Sequence, residues 1–105
     1  MKLSIVVPVY NEFENIQKLH RELSEVLAKQ DFAYEVIWIN DGSKDKSLSV
    51  LEEIAKTDTH NKIIDFAYNF GQTAAMSAGI KEACGDIIIP LDADLQNDPK
   101  DIPAF

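Results

Sequence analysis

Short runs of β-branched and aliphatic residues alternate with longer amphipathic segments along the chain, and this alternation constrains the fold more than any other feature. The run from Leu3 to Val9 is apolar at nearly every position, which is typical of a strand covered on both faces. The next segment has its apolar residues at helical spacing, as a helix packed on a sheet does. The order βαβαβαβ predicts an α/β fold with a doubly wound, mainly parallel sheet.

Four strands and three helices are expected from the periodicity and the turn residues. The predicted strands are Leu3–Val9, Tyr34–Ile39, Lys62–Ala67 and Asp86–Leu91, and the predicted helices are Phe13–Lys29, Lys44–Thr57 and Gln72–Cys84. We expect Ser43 to cap the second helix, Asn11 and Glu14 to form a capping box on the first, and Gly85 to end the third. Pro90 has no N–H to donate, so we expect it where its strand runs past its neighbours.

Composition and charge exclude several classes of protein. The chain has 105 residues, 46% of them hydrophobic, which fits one globular domain. Its net charge of -8 argues against a nucleic-acid partner, because duplex binding needs a basic surface. Cys84 is the single cysteine, so no internal disulfide forms. No apolar run approaches the ~18 residues of a membrane span, and the first is too short for a signal peptide, so we expect a cytoplasmic chain.

Polar residues follow three of the predicted strands, and the carboxyl ends of parallel strands share one edge of the sheet. Carboxylates from three separate segments are expected to converge there: Glu12, Asp41, Asp92 and Asp94. Oxygen ligands of this kind suit Mg²⁺ or Mn²⁺, which often complete their shell with substrate phosphates. An acidic chain can therefore bind a nucleoside diphosphate through a bridging ion. No P-loop and no Gly-x-Gly-x-x-Gly motif is present, which disfavours P-loop ATPases and dinucleotide-binding enzymes.

The same segments carry a family resemblance that covers the whole chain. They are Ile5–Glu12, Asn40–Ser43, Asn69–Gly71, Ala78–Gly79 and Asp92–Gln96. In this order they resemble the nucleotide-binding N-terminal half of family 2 glycosyltransferases, which have the Rossmann-like GT-A fold. The string from Asp92 to Gln96 is similar to the branch that transfers sugars to polyprenyl phosphates, such as dolichyl-phosphate mannose synthase.

The resemblance implies an inverting glycosyltransferase that moves a sugar from a nucleotide-diphosphate donor to a lipid phosphate. The implied nucleotide contacts are Pro8, Tyr10, Glu12, Asp41 and Asp92, the implied ligands of Mg²⁺ or Mn²⁺ are Asp92, Asp94 and Gln96, and the implied catalytic residues are Asp92 and Asp94. The acceptor phosphate is already an anion and needs no general base. Metal-assisted departure of the diphosphate would then carry most of the catalysis.

The chain departs from the family pattern at three places. Asn40 stands where the family often has Asp, which assigns the nucleotide contact to Asp41, and Tyr68 stands where many relatives have Arg. The chain ends at Phe105, whereas relatives continue with an acceptor half and often with membrane helices. We therefore expect 1–105 to be a single nucleotide-sugar-binding domain, truncated before the acceptor half and inactive alone. We also expect a homo-oligomer through the fourth strand, and a full-length protein at the cytoplasmic face of the membrane.

Other readings of these residues stay open at the level of sequence. Asp41 before Gly42 can be a turn residue, Glu12 can complement a helix dipole, and Tyr10 can pack on the sheet edge or stack on a base. A phosphoacceptor receiver domain has a similar size, sheet and acidic edge, but it needs an acceptor Asp after its third strand. A sugar nucleotidyltransferase is a further alternative, although its Gly-rich basic loop is absent.

Overall fold

The computed structural model describes residues 1–93 as seven alternating elements. In chain order they are β1 (Lys2–Val9), α1 (Phe13–Leu27), β2 (Ala33–Asp41), α2 (Ser47–Thr57), β3 (Asn61–Phe66), α3 (Gln72–Glu82) and β4 (Ile87–Pro90). All strand pairs are parallel, and the order across the sheet is β3-β2-β1-β4. The predicted α/β fold with a parallel, doubly wound sheet is confirmed. The direction of strand addition reverses beside β1, which puts a crevice at its carboxyl end.

The helices cover both faces of the sheet. The larger core contains residues of α1 and α2 packed on one face, including Leu19, Leu23 and Leu51, which are fully buried. The smaller core lies under α3 on the other face. Gly79 allows α3 to lie close to the sheet, because an added Cβ would overlap Val6 and come within 2.7 Å of Ile39 Cδ1. The central strands are therefore buried on both faces, as their continuous apolar runs predict.

The helix boundaries differ from the prediction because tertiary hydrogen bonds take the predicted caps. Ser43 does not cap α2, which begins at Ser47, where the Asp45 carboxylate accepts hydrogen bonds from both the amide and the hydroxyl. The predicted capping box on α1 is also wrong: the N-cap residue is Glu12, whose side chain makes no capping bond, and Asn11 has a φ of 53°. Helix α1 ends at Leu27, where the Gln30 amide donates to a carbonyl of the last turn.

The third helix and the fourth strand are shorter than predicted. Helix α3 ends at Glu82, and Gly85 lies instead against β1, where a Cβ would come within 2.5 Å of the Ser4 hydroxyl. Pro90 pairs with Val6 inside the span of β1 rather than beyond it. Because β4 has only one neighbour among the described residues, Pro90 is tolerated, and Leu91 donates to the Val6 carbonyl at 3.0 Å.

A buried carboxylate joins four segments at the amino-terminal edge of the sheet. Glu35 Oε2 accepts hydrogen bonds from the Ser4 hydroxyl at 2.6 Å and the Cys84 amide at 2.7 Å, while Lys62 Nζ lies 2.9 Å from Oε1. Burial would raise the pKa of Glu35, but these donors and Lys62 outweigh it and lower the pKa to about 2. This group stabilises the fold at the edge opposite the candidate site.

No helix among residues 1–93 is both long enough and apolar enough to cross a membrane.

Candidate functional site

A pocket of about 360 Å³ lies at the carboxyl ends of β1 and β2, beside the segment that follows β4. Its lining residues are Pro8, Val9, Tyr10, Glu12, Asp41, Asn69, Gly71, Gln72, Asp92 and Ala93. Five residues predicted from sequence to contact a nucleotide are therefore brought together in one cavity. They come from three segments far apart in the chain, as the parallel topology requires.

The β1–α1 turn forms one wall of the pocket, and the segment before α2 holds this turn in place. The Asn11 amide donates to the Ser43 hydroxyl at 3.0 Å, and Asn11 Oδ1 accepts from the Lys44 amide at 2.8 Å. The Glu12 amide donates to the Ser47 hydroxyl at 3.1 Å. These bonds explain why Ser43 and Asn11 do not cap helices. They hold the turn on which Tyr10 and Glu12 are presented to the pocket.

The Asp45 carboxylate beside this turn belongs to the same network. Asp45 Oδ2 accepts from the Phe13 amide at 3.4 Å, and its Oδ1 accepts from Ser47. Burial opposes ionisation, but the bonds from Ser47 and Phe13 lower the pKa of Asp45 below its usual value. The same bonds therefore favour the ionised carboxylate over the protonated form.

Asp41 holds the β3–α3 loop against the pocket. Its side chain is 3% exposed. Oδ1 accepts from the Phe70 amide at 2.8 Å, and Oδ2 accepts from the Gly71 amide at 3.0 Å and from the Asn69 side-chain amide at 3.1 Å. Asp41 is thus more than a turn residue before Gly42. Its contact with a nucleotide stays a prediction, since three donors of the protein already use its oxygens.

Two glycines permit this loop geometry. Gly42 has a φ of 66°, and an added Cβ would overlap the backbone of Tyr68 and Asn69, so the two loops can approach only at a glycine. Gly71 has a φ of 100°, which places the next residue at the start of α3. Sequence reasoning assigned no binding role to Asn69, Gly71 or Gln72. The position of Asn69–Gly71 just after a predicted strand could have indicated a binding role for this segment, whereas no sequence feature indicates one for Gln72.

Asn40 and Tyr68, two of the three departures from the family pattern, lie outside the pocket lining. Asn40 is 2% exposed, and its side-chain amide donates to Asp65 Oδ1 at 2.9 Å. An Asp at position 40 would set two carboxylates against each other, so Asn suits this neighbour. Tyr68 is 73% exposed and makes an edge contact with Phe70.

Asp92 brings the fourth strand's carboxylate to the pocket. Its Oδ1 accepts a hydrogen bond from Gln72 Nε2 at 3.0 Å. Within residues 1–93, no three His, Cys, Asp or Glu side chains are grouped to hold a metal ion. Asp94 and Gln96, the other predicted ligands, lie outside the described residues. The carboxylate oxygens of Asp92 are the type of ligand that Mg²⁺ and Mn²⁺ prefer. The described part of the site therefore fits such an ion, although it does not supply a complete coordination shell.

The parallel α/β sheet, with its pocket at the reversal of strand order, has the fold of GT-A glycosyltransferases of known structure. Residues 4–105 match the family described as "Glycosyl transferase family 2". The chain belongs to this glycosyltransferase family. The receiver-domain and nucleotidyltransferase alternatives lose their support.

Relatives extend the comparison. An undecaprenyl-phosphate 4-deoxy-4-formamido-L-arabinose transferase of Pseudomonas fluorescens is 43% identical over 102 residues, covering 96% of this chain and 30% of the relative. A prophage bactoprenol glucosyl transferase homolog of Escherichia coli is 41% identical over 103 residues, covering 98% of this chain and 34% of the relative. The chain spans about a third of the length of the curated relatives it matches.

Solved structures share the fold. S. aureus TarS 1-349 in complex with UDP superposes with a TM-score of 0.71 at 32% identity, over 90% of this chain and 28% of that one. The mannosyltransferase PcManGT from Pyrobaculum calidifontis, in complex with GDP-Man and Mn²⁺, superposes with a TM-score of 0.77 at 24% identity, over 97% of this chain and 30% of that one.

Proposed function

We propose that this chain is the donor-binding domain of an inverting glycosyltransferase that moves a sugar from a nucleotide-diphosphate sugar to a polyprenyl phosphate. The observation that carries the proposal is the pocket of Tyr10, Glu12, Asp41 and Asp92 in a family 2 domain. The UDP complex of TarS and the GDP-Man complex of PcManGT support a nucleotide sugar as the ligand. Relatives named for undecaprenyl phosphate and bactoprenol support a polyprenyl acceptor. Action at the cytoplasmic face of a membrane is part of the same proposal.

Each polar residue of the pocket has a different proposed role in binding the sugar donor. Tyr10 is 43% exposed, so its ring is available to stack on a base. Asp41 holds the loop that forms the opposite wall, and Glu12 supplies a carboxylate whose Oε2 accepts from Asn15 at 2.9 Å. Asp92, with Asp94 and Gln96, would hold Mg²⁺ or Mn²⁺. When bound, the ion would neutralise charge on the departing diphosphate.

Reaction then requires no proton transfer to the protein. The acceptor phosphate is an anion, and its oxygen attacks the anomeric carbon as the bond to the diphosphate breaks. The protein's part is to bind and orient the donor and to hold negative charge close to the cation.

A thermal-shift experiment tests the binding part of the proposal. We expect UDP or GDP with MnCl₂ to raise the thermal midpoint of the 105-residue chain, because ligand at 100 times its Kd stabilises the native state by about 2.7 kcal/mol. Asp94→Ala should abolish the metal-dependent part of the shift. Asp31→Asn, at an exposed position before the amino end of β2, whereas the pocket lies at the carboxyl end of that strand, is the control and should keep it. No shift with either nucleotide, with or without Mn²⁺, would refute the proposed function.

A further inference from the structure

A hydrogen bond joins two walls of the pocket. Gln72 is the first residue of α3, and its Nε2 donates to Asp92 Oδ1 at 3.0 Å, although the two residues are 20 apart in the chain. Both side chains line the pocket. Other polar contacts of the pocket wall join Asp41 to the β3–α3 loop or the β1–α1 turn to the segment before α2. Among the described residues, the bond from Gln72 is the one side-chain hydrogen bond that ties α3 to the segment after β4.

The backbone at Gln72 is held by the preceding loop. Asp41 binds the amides of Phe70 and Gly71, and the Gly71 carbonyl accepts from the Ala75 amide at 3.1 Å in the first turn of α3. Gln72 itself is exposed and packs in no core. Its side chain therefore has little to do for the stability of the fold, and its hydrogen bond to Asp92 needs another explanation.

The chemistry of the Gln72 amide explains this hydrogen bond. A glutamine amide is neutral, so it fixes the orientation of a carboxylate without neutralising its charge. A lysine or arginine in the same place would form an ion pair with Asp92 and compete with a cation. We propose that Gln72 is a positioning residue that orients the Asp92 carboxylate for the metal–diphosphate part of the donor. This rests on the proposed function, because it assigns a task within the same site.

Gln72→Met tests the proposal, because Met has a similar length and no amide. The probe is UDP or GDP, titrated by calorimetry with and without MnCl₂ into the full 105-residue chain. We expect the metal-dependent gain in nucleotide affinity to fall by 10- to 100-fold, the range found when a group that orients a metal ligand is removed. Affinity without metal and the urea midpoint should stay unchanged. Gln17→Met, an exposed glutamine on α1, is the matched control and should behave as wild type.

A double-mutant cycle with Asp92→Asn separates positioning from a direct role. If Gln72 acts through Asp92, Gln72→Met should have no further effect on metal-dependent binding in the Asp92→Asn background. Gln72→Lys keeps a donor but adds a charge, and it should weaken metal-dependent binding as well.

The outcomes are distinguishable. Equal metal-dependent affinity in wild type and Gln72→Met would overturn the positioning role while the proposed function stands. A parallel loss of metal-free binding and of the urea midpoint would also overturn it, since that pattern marks a structural residue. If the wild-type chain binds neither UDP nor GDP, the proposed function itself is refuted, and the positioning role of Gln72 is refuted with it.

Discussion

Asp41→Asn removes one negative charge at the centre of the pocket wall and keeps the shape of the side chain. In the wild type, both carboxylate oxygens accept hydrogen bonds from the β3–α3 loop. An asparagine offers one acceptor and one donor. With its oxygen toward Phe70, its NH₂ faces the Gly71 amide and the Asn69 side chain; with the opposite orientation, it faces the Phe70 amide. Either way, at least one N–H group of the loop loses its acceptor.

The expected cost follows from that geometry. A buried donor left without an acceptor costs about 1–3 kcal/mol. The remaining hydrogen bonds also weaken, because their acceptor is now neutral and charge-assisted hydrogen bonds are roughly twice as strong as neutral ones. We therefore expect the free energy of unfolding of the ligand-free chain to fall by about 2–3 kcal/mol. If Asp41 served only to contact a nucleotide, the ligand-free protein would lose nothing.

Urea unfolding measures this directly. Trp38 is the single tryptophan and is fully buried, so its fluorescence reports the global transition. Hydrogen exchange adds a local readout: the Phe70 and Gly71 amides should exchange faster in Asp41→Asn than in wild type. Asp31→Asn, at an exposed position, should leave both measurements unchanged. A change in stability below about 0.5 kcal/mol, the range of ordinary surface substitutions, would refute the loop-holding role.

Three further predictions use the same preparation. The folded pKa of Glu35, about 2, lies below its usual value of 4.5, so its contribution of about 3 kcal/mol to the free energy of unfolding is complete above pH 4.5 and is lost as the pH falls through 2. Despite its burial, Asp58 also has a pKa lowered to about 2, by hydrogen bonds from His20 and His60, and it adds its own loss of stability in acid. Glu35→Gln should therefore reduce, without abolishing, the fall in stability between urea titrations at pH 7 and pH 3, and an unchanged fall would contradict this prediction. Gly42→Ala should lower the urea midpoint more than Gly71→Ala, because only the first adds an overlap to the strain of a positive φ, and equal effects would count against the close approach. We expect the chain to self-associate through β4, with Ile88→Lys reducing the mass seen by light scattering, and a monodisperse wild-type monomer would disprove this.

The pattern of apolar and polar residues is enough to predict the class of fold and the place of the site. The spacing of apolar residues reflects which faces of a helix or strand are buried, and this spacing can be recognised within a short stretch of sequence. The number, type and order of the helices and strands could therefore be predicted from it. Part of the pocket lining could likewise be predicted, because strand ends are local features, whereas Asn69, Gly71 and Gln72 were not predicted. Tyr10, Glu12, Asp41 and Asp92 all follow or end apolar strands, and parallel topology carries those ends to one edge.

The partner of each polar side chain at the site depends instead on tertiary packing. Ser43 and Asn11 have the right types and positions to cap helices, yet each bonds to the other's turn, 32 residues away. Asp41 accepts hydrogen bonds from amides that lie 28 to 30 residues later in the chain. Gln72 donates a hydrogen bond to Asp92, which lies 20 residues later. A hydrogen bond needs its partner within about 3 Å, and residues this far apart in the chain reach that distance only once the sheet has formed. Local pattern therefore predicts where polar groups are, and packing selects which of them meet.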